Sequence, residues 1–373
     1  MAQTIVVAGS LAQKPNRGGH SWVFLQYLLG FRRLGWDVLF IDAIASNQSA
    51  TLPYLRDVMG RAGLADAWAV VVTDADTVHG IDRAPLIARL EQSAMLLNVN
   101  GFLRDDELLA AAKRRVFLDI DPGVFQIWHA AGLHNAFTGH DDYVTVGQHL
   151  GKKACPIPTC GIDWIPTAPP VVLECWPVSE AVRPAVFTSV ASWRGAFAPL
   201  EYCGVTYGQR VHEFRKFVDL PRRTTGTFEL ALDIHPGDAR DIELLTSHGW
   251  TLVDPLIAGA DPWIYQQYVQ QSAAELMVAK GLYAATACGW VSDRTVCYLA
   301  SGKPVVAQDT GLGDLYRIGE GLLTFSTLDE AIQAVQRVLA DYRRHSAAAR
   351  ALAEEYFDSD VVLSRLLARL GVA

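Results

Sequence analysis

The sequence predicts an α/β chain of two parallel-sheet units joined by a proline-rich connector. Three observations carry that expectation. The first third alternates short apolar runs with stretches of helical spacing, the pattern of strand–helix–strand units. The same alternation restarts after residue 184. Between them stand Pro156, Pro158, Pro166, Pro169, Pro170, Pro177 and Pro184, which exclude a long helix or a central strand. A length of 373 residues suits two or three domains.

The first unit opens with an apolar strand over residues 4–9 and a polar, glycine-rich loop over 13–19. Residues 20–34 then place Trp22, Val23, Leu25, Leu28, Leu29 and Phe31 at helical spacing. Gly35 stops that helix, and 37–41 is the next strand, which completes a βαβ unit. Further strands are expected at 68–72, 95–99, 115–120 and 143–146. The second unit offers strands at 185–190, 229–234, 250–253, 276–278 and 305–307. Amphipathic helices follow at 328–339 and 346–356, with a last helix at 361–370.

Half of the residues are apolar and 19% are charged, an ordinary globular composition. The formal net charge is −8, and the longest basic run is Lys113-Arg114-Arg115. Both argue against a nucleic-acid or membrane-surface partner. Cys155, Cys160, Cys175, Cys203, Cys288 and Cys297 are scattered with no CxxC pair, as reduced thiols would be. The N-terminus lacks a basic leader, and no apolar stretch approaches the ~18 residues of a membrane span. The expectation is a soluble cytoplasmic protein with no integral membrane segment.

Residues 289–313, GWVSDRTVCYLASGKPVVAQDTGLG, are the most informative stretch. Ser292 and Asp293 suit a helix N-cap. Gly302 and Pro304 end that helix, and Val305, Val306 and Ala307 form a strand covered on both faces. The following loop leaves the carboxyl end of this strand, where open α/β sheets bind ligands. A helix N-terminus beside such a loop suits a nucleotide diphosphate.

Gly18-Gly19-His20, followed after the helix by Gly35-Trp36-Asp37-Val38, is similar to the opening of natural-product and plant-type GT-B glycosyltransferases. Cys288-Gly289-Trp290, the run from Leu299 to Ala307 and Asp309-Thr310-Gly311 are similar to that superfamily's donor-site signature. Glu354-Glu355-Tyr356-Phe357 resembles its C-terminal tail. The resemblance covers nearly the whole chain. It implies α/β architecture with two Rossmann-like domains facing across a cleft and a C-terminal helix crossing back to the first domain. The divisions would be 1–160 for the acceptor domain, 161–184 for the linker, 185–355 for the nucleotide-sugar domain and 356–373 for the returning helix. Two departures stand out. The spacing from Gly289-Trp290 to Gly302 is longer than in the plant-type signature, and Cys297 replaces the Glu that binds donor ribose in many bacterial members.

The resemblance also assigns roles. His20 would be the base that deprotonates an acceptor hydroxyl in an inverting transfer. Asp119 or Asp121 would orient it or touch acceptor hydroxyls, against a plain Asp-Pro-Gly strand exit. Ser192, Trp193 and Arg194 would border the donor phosphates. Lys280 would aim at the diphosphate, and Glu275 would replace the missing ribose ligand. Ser292, Asp293 and Arg294 open the donor helix, while Asp309, Thr310 and Gly311 would meet the donor sugar. Gly18, Gly19 and Trp128 fall on the acceptor side. His129, His134, His140 and His149, with Asp141 and Asp142, fit no zinc spacing, and no metal site is expected.

These features imply a metal-independent glycosyltransferase that moves a sugar from a nucleotide diphosphate to an acceptor hydroxyl. Its only co-substrate would be the UDP- or dTDP-linked sugar, with no further cofactor. The expected partners are that donor and a small-molecule or glycan acceptor, with no nucleic acid. Two alternatives stay open: a nucleotide-sugar epimerase of the same fold, and a non-catalytic module that binds carbohydrate or protein.

Overall fold

Apolar runs long enough for a strand but too short for a helix become central strands, and the glycine-bounded amphipathic stretches cover them. The first sheet contains β1 (Thr4–Gly9), β2 (Asp37–Ile44), β3 (Trp68–Val72), β4 (Thr77–Gly80), β5 (Met95–Val99), β6 (Arg115–Asp119), β7 (Asp142–Thr145) and β8 (Trp164–Pro166). Its order is β4-β3-β2-β1-β5-β6-β7-β8, parallel except where β4 runs against β3. Ile5 of β1 pairs with Val38 on one side and Met95 on the other, which fixes the central register. The structure, a computed structural model, describes residues 3–46, 50–75, 77–180, 183–195 and 198–372. Residues 1–2, 47–49, 76, 181–182, 196–197 and 373, within the expected domain limits, lie outside the described residues.

The second sheet contains β9 (Val186–Ser192), β12 (Thr227–Asp233), β13 (Trp250–Val253), β14 (Ala274–Met277), β15 (Val305–Gln308) and β16 (Leu322–Phe325). All are parallel, in the order β13-β12-β9-β14-β15-β16. An antiparallel hairpin of β10 (Leu200–Tyr202) and β11 (Val205–Tyr207) is inserted after β9. The chain is therefore two Rossmann-like domains facing across a cleft.

Five strands were not expected from the sequence. β4 and β8 are edge strands, and β10–β11 is a two-stranded ribbon with one buried residue, Tyr207. Such strands carry little hydrophobic signal. β8 lies within the proline-rich stretch. It tolerates Pro166 because that residue ends an edge strand, where a ladder N–H is not required. β16 is mostly buried but short and sits between glycines and a helix.

Close packing joins the domains. The helix Ser359–Leu370 lies against the first helix, Gly18–Arg33, where a Cβ on Gly30 would stand 2.5 Å from Leu363 Cδ1. Arg33 closes the contact through an ion pair with Asp360 at 2.9 Å. At its other end the first helix meets the helix Pro262–Gln271 of the second domain. A Cβ on Gly18 would stand 2.0 Å from the Asp261 carbonyl oxygen, and one on Gly19 would stand 3.0 Å from the Tyr265 ring. Trp22 Nε1 donates to the Pro262 carbonyl at 2.7 Å. Gly18 and Gly19 thus serve backbone approach between domains and do not face an acceptor, which corrects their assignment. Among the described residues no helix is long and apolar enough to cross a membrane.

Candidate functional site

Each sheet reverses its winding beside its first strand, between β1 and β5 in one domain and between β9 and β14 in the other. Loops diverge at such points and leave a crevice at the carboxyl ends. The two crevices share one cavity of about 290 Å³. The first domain contributes Lys14 from the loop after β1, Asn100 and Phe102 after β5, Asp121 after β6, and Phe125. The second contributes Ser192 at the end of β9, Leu200 and Tyr207 of the hairpin, Arg210, and Lys280 after β14.

Cations converge here. Arg210 Nε donates to the Val278 carbonyl at 3.1 Å, and the side chain makes no ion pair among the described residues. Burial lowers its pKa to about 10, and nearby Arg294 adds to the effect, so it remains charged. Lys14 is lowered by burial and by the neighbouring Lys280 and Arg17, with Asp121 opposing. Lys280 Nζ donates to Asp121 Oδ1 at 2.7 Å across the cleft. Tyr283 Oη donates to the same oxygen at 2.6 Å, and Asn100 Nδ2 approaches Oδ2 at 3.4 Å. Burial would raise the Asp121 pKa, but Lys280 and Tyr283 overcome it and hold the carboxyl well below its usual range.

His20 begins the first helix. Its Nε2 lies 3.1 Å from the Ser10 carbonyl and 3.0 Å from Ser10 Oγ. The carbonyl can only accept, so Nε2 carries the proton and Nδ1 the lone pair. Burial, with Lys14 nearby, pushes the ring to about 3, so it is neutral at physiological pH. The loop before it is anchored by Asp42, which accepts from Ala12 N at 2.6 Å and Gln13 Nε2 at 2.9 Å. Burial raises Asp42 to about 7. Sequence reading missed Asp42, Lys14, Asn100 and Arg210. The one visible signal was a polar residue after a strand or glycine, as in Asn100-Gly101 and Gly208-Gln209-Arg210.

Several expected site residues are engaged elsewhere. Asp119 is fully buried and accepts from Gln126 Nε2 and Thr145 Oγ1, both at 2.8 Å, so it reaches neither His20 nor an acceptor. Burial raises it to about 6. Trp193 is fully buried, with Nε1 donating to Asp241 at 2.9 Å. Arg194 forms a two-pronged pair with Asp238 at 2.7 and 3.0 Å. Glu275 is fully buried between Arg294 Nε and Thr295 Oγ1, and therefore does not replace a ribose ligand. Arg294 also donates to the Val190 carbonyl at 2.7 Å. Ser292 caps its helix by accepting from Arg294 N at 3.2 Å. Asp293 lines a small separate void beside Tyr27 and the linker prolines, and the enclosure of its carboxyl there raises its pKa against the pull of Arg294.

The loop after β15 is also committed. Asp309 Oδ1 closes its own turn on Gly311 N and Leu312 N, at 2.9 and 3.0 Å. Thr310 is fully buried and donates to the Trp290 carbonyl at 2.5 Å. A Cβ on Gly311 would stand 2.9 Å from His149 Nδ1, so this loop grips the first domain. His149 itself donates from N to the Cys288 carbonyl at 2.9 Å. The other members of the histidine-rich stretch disperse: His140 bonds Asn98, while Asp141 and Asp142 pair with Arg115 and Arg114. Trp128 packs edge-on against Phe125, behind the cavity wall.

A family model described as glycosyl transferase-like matches residues 245–367. No curated protein matches the sequence. Among solved structures, an alpha-glucosyltransferase in complex with UDP-glucose and DNA containing an abasic site aligns with a TM-score of 0.65 at 12% identity, covering 100% of this chain and 99% of that one. Anabaena HepE in complex with UDP and glucose aligns at 0.58 and 10% identity, covering both chains fully. A glycosyltransferase from Rickettsia africae ESF-5 aligns at 0.53 and 11% identity, over 99% of this chain and 97% of that one. The DNA in the first of these overturns the exclusion of a nucleic-acid partner. Global charge and basic runs do not describe the local field of a cleft. The chain thus shares the fold of these glycosyltransferases over its whole length, and residues 245–367, most of them in its second domain, match a glycosyl transferase-like family model.

Proposed function

We propose that the cleft binds a UDP-linked sugar and transfers the sugar to an acceptor hydroxyl without a catalytic metal. One observation carries this reading: Arg210, Lys280 and Lys14 line a single cavity at facing switch points, with Asp121 as the carboxylate against them. That surplus of positive charge suits a diphosphate, whose charge grows as the bond to the anomeric carbon breaks. Solved relatives of the same fold hold UDP or UDP-glucose, which supports the choice of base.

In an inverting transfer the acceptor oxygen attacks the anomeric carbon as the diphosphate leaves with the bonding electrons. The hydroxyl proton passes to His20 Nδ1, the ring nitrogen with the free lone pair. Phe102 and Phe125 offer apolar surface on the first-domain wall for an acceptor ring or base.

The test is transfer from UDP-glucose to a panel of glycans, small alcohols and a 13-mer DNA carrying a hydroxymethyl base, with and without chelator. Transfer unaffected by chelator is expected, and loss on chelation would remove the metal-independent route. His20→Ala should lower kcat by about 10²-fold or more while leaving UDP affinity unchanged. An unchanged kcat would assign a retaining route and end the role of His20.

A further inference from the structure

Lys280 and Asp121 come from different domains, yet they share one short ion pair, with Tyr283 Oη on the same carboxylate oxygen. Both residues line the cavity, with side chains 29% and 31% exposed. The pair is thus neither a core contact nor a surface one. It occupies the space in which the proposed diphosphate and acceptor would meet.

We infer that Asp121 is a competing anion, which the donor diphosphate displaces from Lys280 and which then receives a hydroxyl of the acceptor other than the attacking one. The inference rests on the reading above and assigns the order of events within that site. Lys280 is a compact point charge on a flexible stem, so it can exchange one oxyanion for another with a small movement. A diphosphate brings more negative charge than a carboxylate and is also met by Arg210 and Lys14. Asp121 keeps Tyr283 Oη and Asn100 Nδ2 as neutral donors after the exchange, so it remains held in place. Its freed lone pairs then face the first-domain wall, where a non-reacting O–H of the acceptor can donate to them. Acceptor recognition thereby becomes conditional on donor binding through one lysine.

This arrangement makes an unusual demand. Removing the charge of Asp121 should strengthen binding of the leaving group while weakening the overall reaction. The experiment is calorimetric titration of the full chain with UDP and, separately, with inorganic pyrophosphate. The variants are Asp121→Asn, Lys280→Met and the double substitution, each checked for folding by circular dichroism. Asp121→Asn should tighten both ligands roughly tenfold, the scale of coupling between close charges. Lys280→Met should weaken both, and in its presence Asp121→Asn should change nothing. Asp121→Asn should also abolish the gain in acceptor affinity that UDP produces in the wild type.

Binding that is unchanged or weaker in a folded Asp121→Asn chain would overturn the exchange. If pyrophosphate shows the pattern and UDP binds no better than pyrophosphate, the exchange stands and the UDP reading falls. If neither ligand binds the wild type, both fall.

Discussion

Two segments of the second domain trade places between sequence and structure. Residues 289–313 carry the glycines and the helix cap expected of a ligand loop, yet they are spent on protein. Gly289 and Gly311 close around His149 of the first domain, and Thr310 is bonded to the Trp290 carbonyl. Residues 208–210 carry no recognised signature, yet they bring Arg210 to the cavity. A glycine marks a place where something approaches the backbone closely, and a partner domain can do so as readily as a phosphate.

That comparison breaks if the two segments respond alike to substitution. The largest effect is expected at Glu275, beneath the first segment. Glu275→Gln leaves the Arg294 guanidinium buried without its counter-charge and should cost about 3–5 kcal/mol in chemical denaturation. A ribose ligand would instead show a raised donor KM at unchanged stability. Next, Arg210→Met should lower kcat/KM about 10²–10³-fold with the denaturation midpoint unmoved. A loss of stability there would return Arg210 to a structural role.

Gly311→Ala sharpens the contrast. The residue has φ +89°, and its new Cβ would stand 2.8 Å from the Ala287 carbonyl oxygen. A loss of about 1–3 kcal/mol is expected, with the activity of the folded fraction preserved. Asp42 supplies a pH test. Its folded pKa of about 7 exceeds the ordinary carboxyl value of 3.8, so the folded state binds the proton more tightly than the unfolded state. Its contribution to stability should therefore fall as pH rises through that window, by up to about 1.4 kcal/mol per unit, and level off above it. Asp42→Asn should remove this slope from a plot of stability against pH. The smallest effect is expected at Arg194. It is nearly half exposed and pairs with Asp238, so Arg194→Ala should change UDP affinity less than twofold.

The central strands were legible because a strand buried on both faces must be continuously apolar. The runs at 4–9, 68–72 and 95–99, all internal to the first sheet, were read to the residue. The edge strands β4 and β8 and the hairpin were not, because exposure removes that constraint. Site residues divide along the same line. Lys280 and Asp121 sit directly after buried strands, so the end of an apolar run pointed to them. Arg210 follows an inserted hairpin, and its position in the cleft depends on the tertiary bond to the Val278 carbonyl. Glu275 and Trp193 could not be sorted from their neighbours because a polar group in a strand and one at its end look alike in sequence. Only depth separates them.

The backbone passes between the domains twice, and the two passages are stitched together. Val171 N donates to the Phe357 carbonyl at 2.7 Å, and Ser359 N donates back to the Val171 carbonyl at 2.9 Å. A single tether would let one domain swivel freely against the other. Two bonded crossings define an axis, like the paired knuckles of a door, and oppose twist while allowing swing. An opening of the cleft would turn about that one axis, and closure would return Lys280 and Asp121 to the same register.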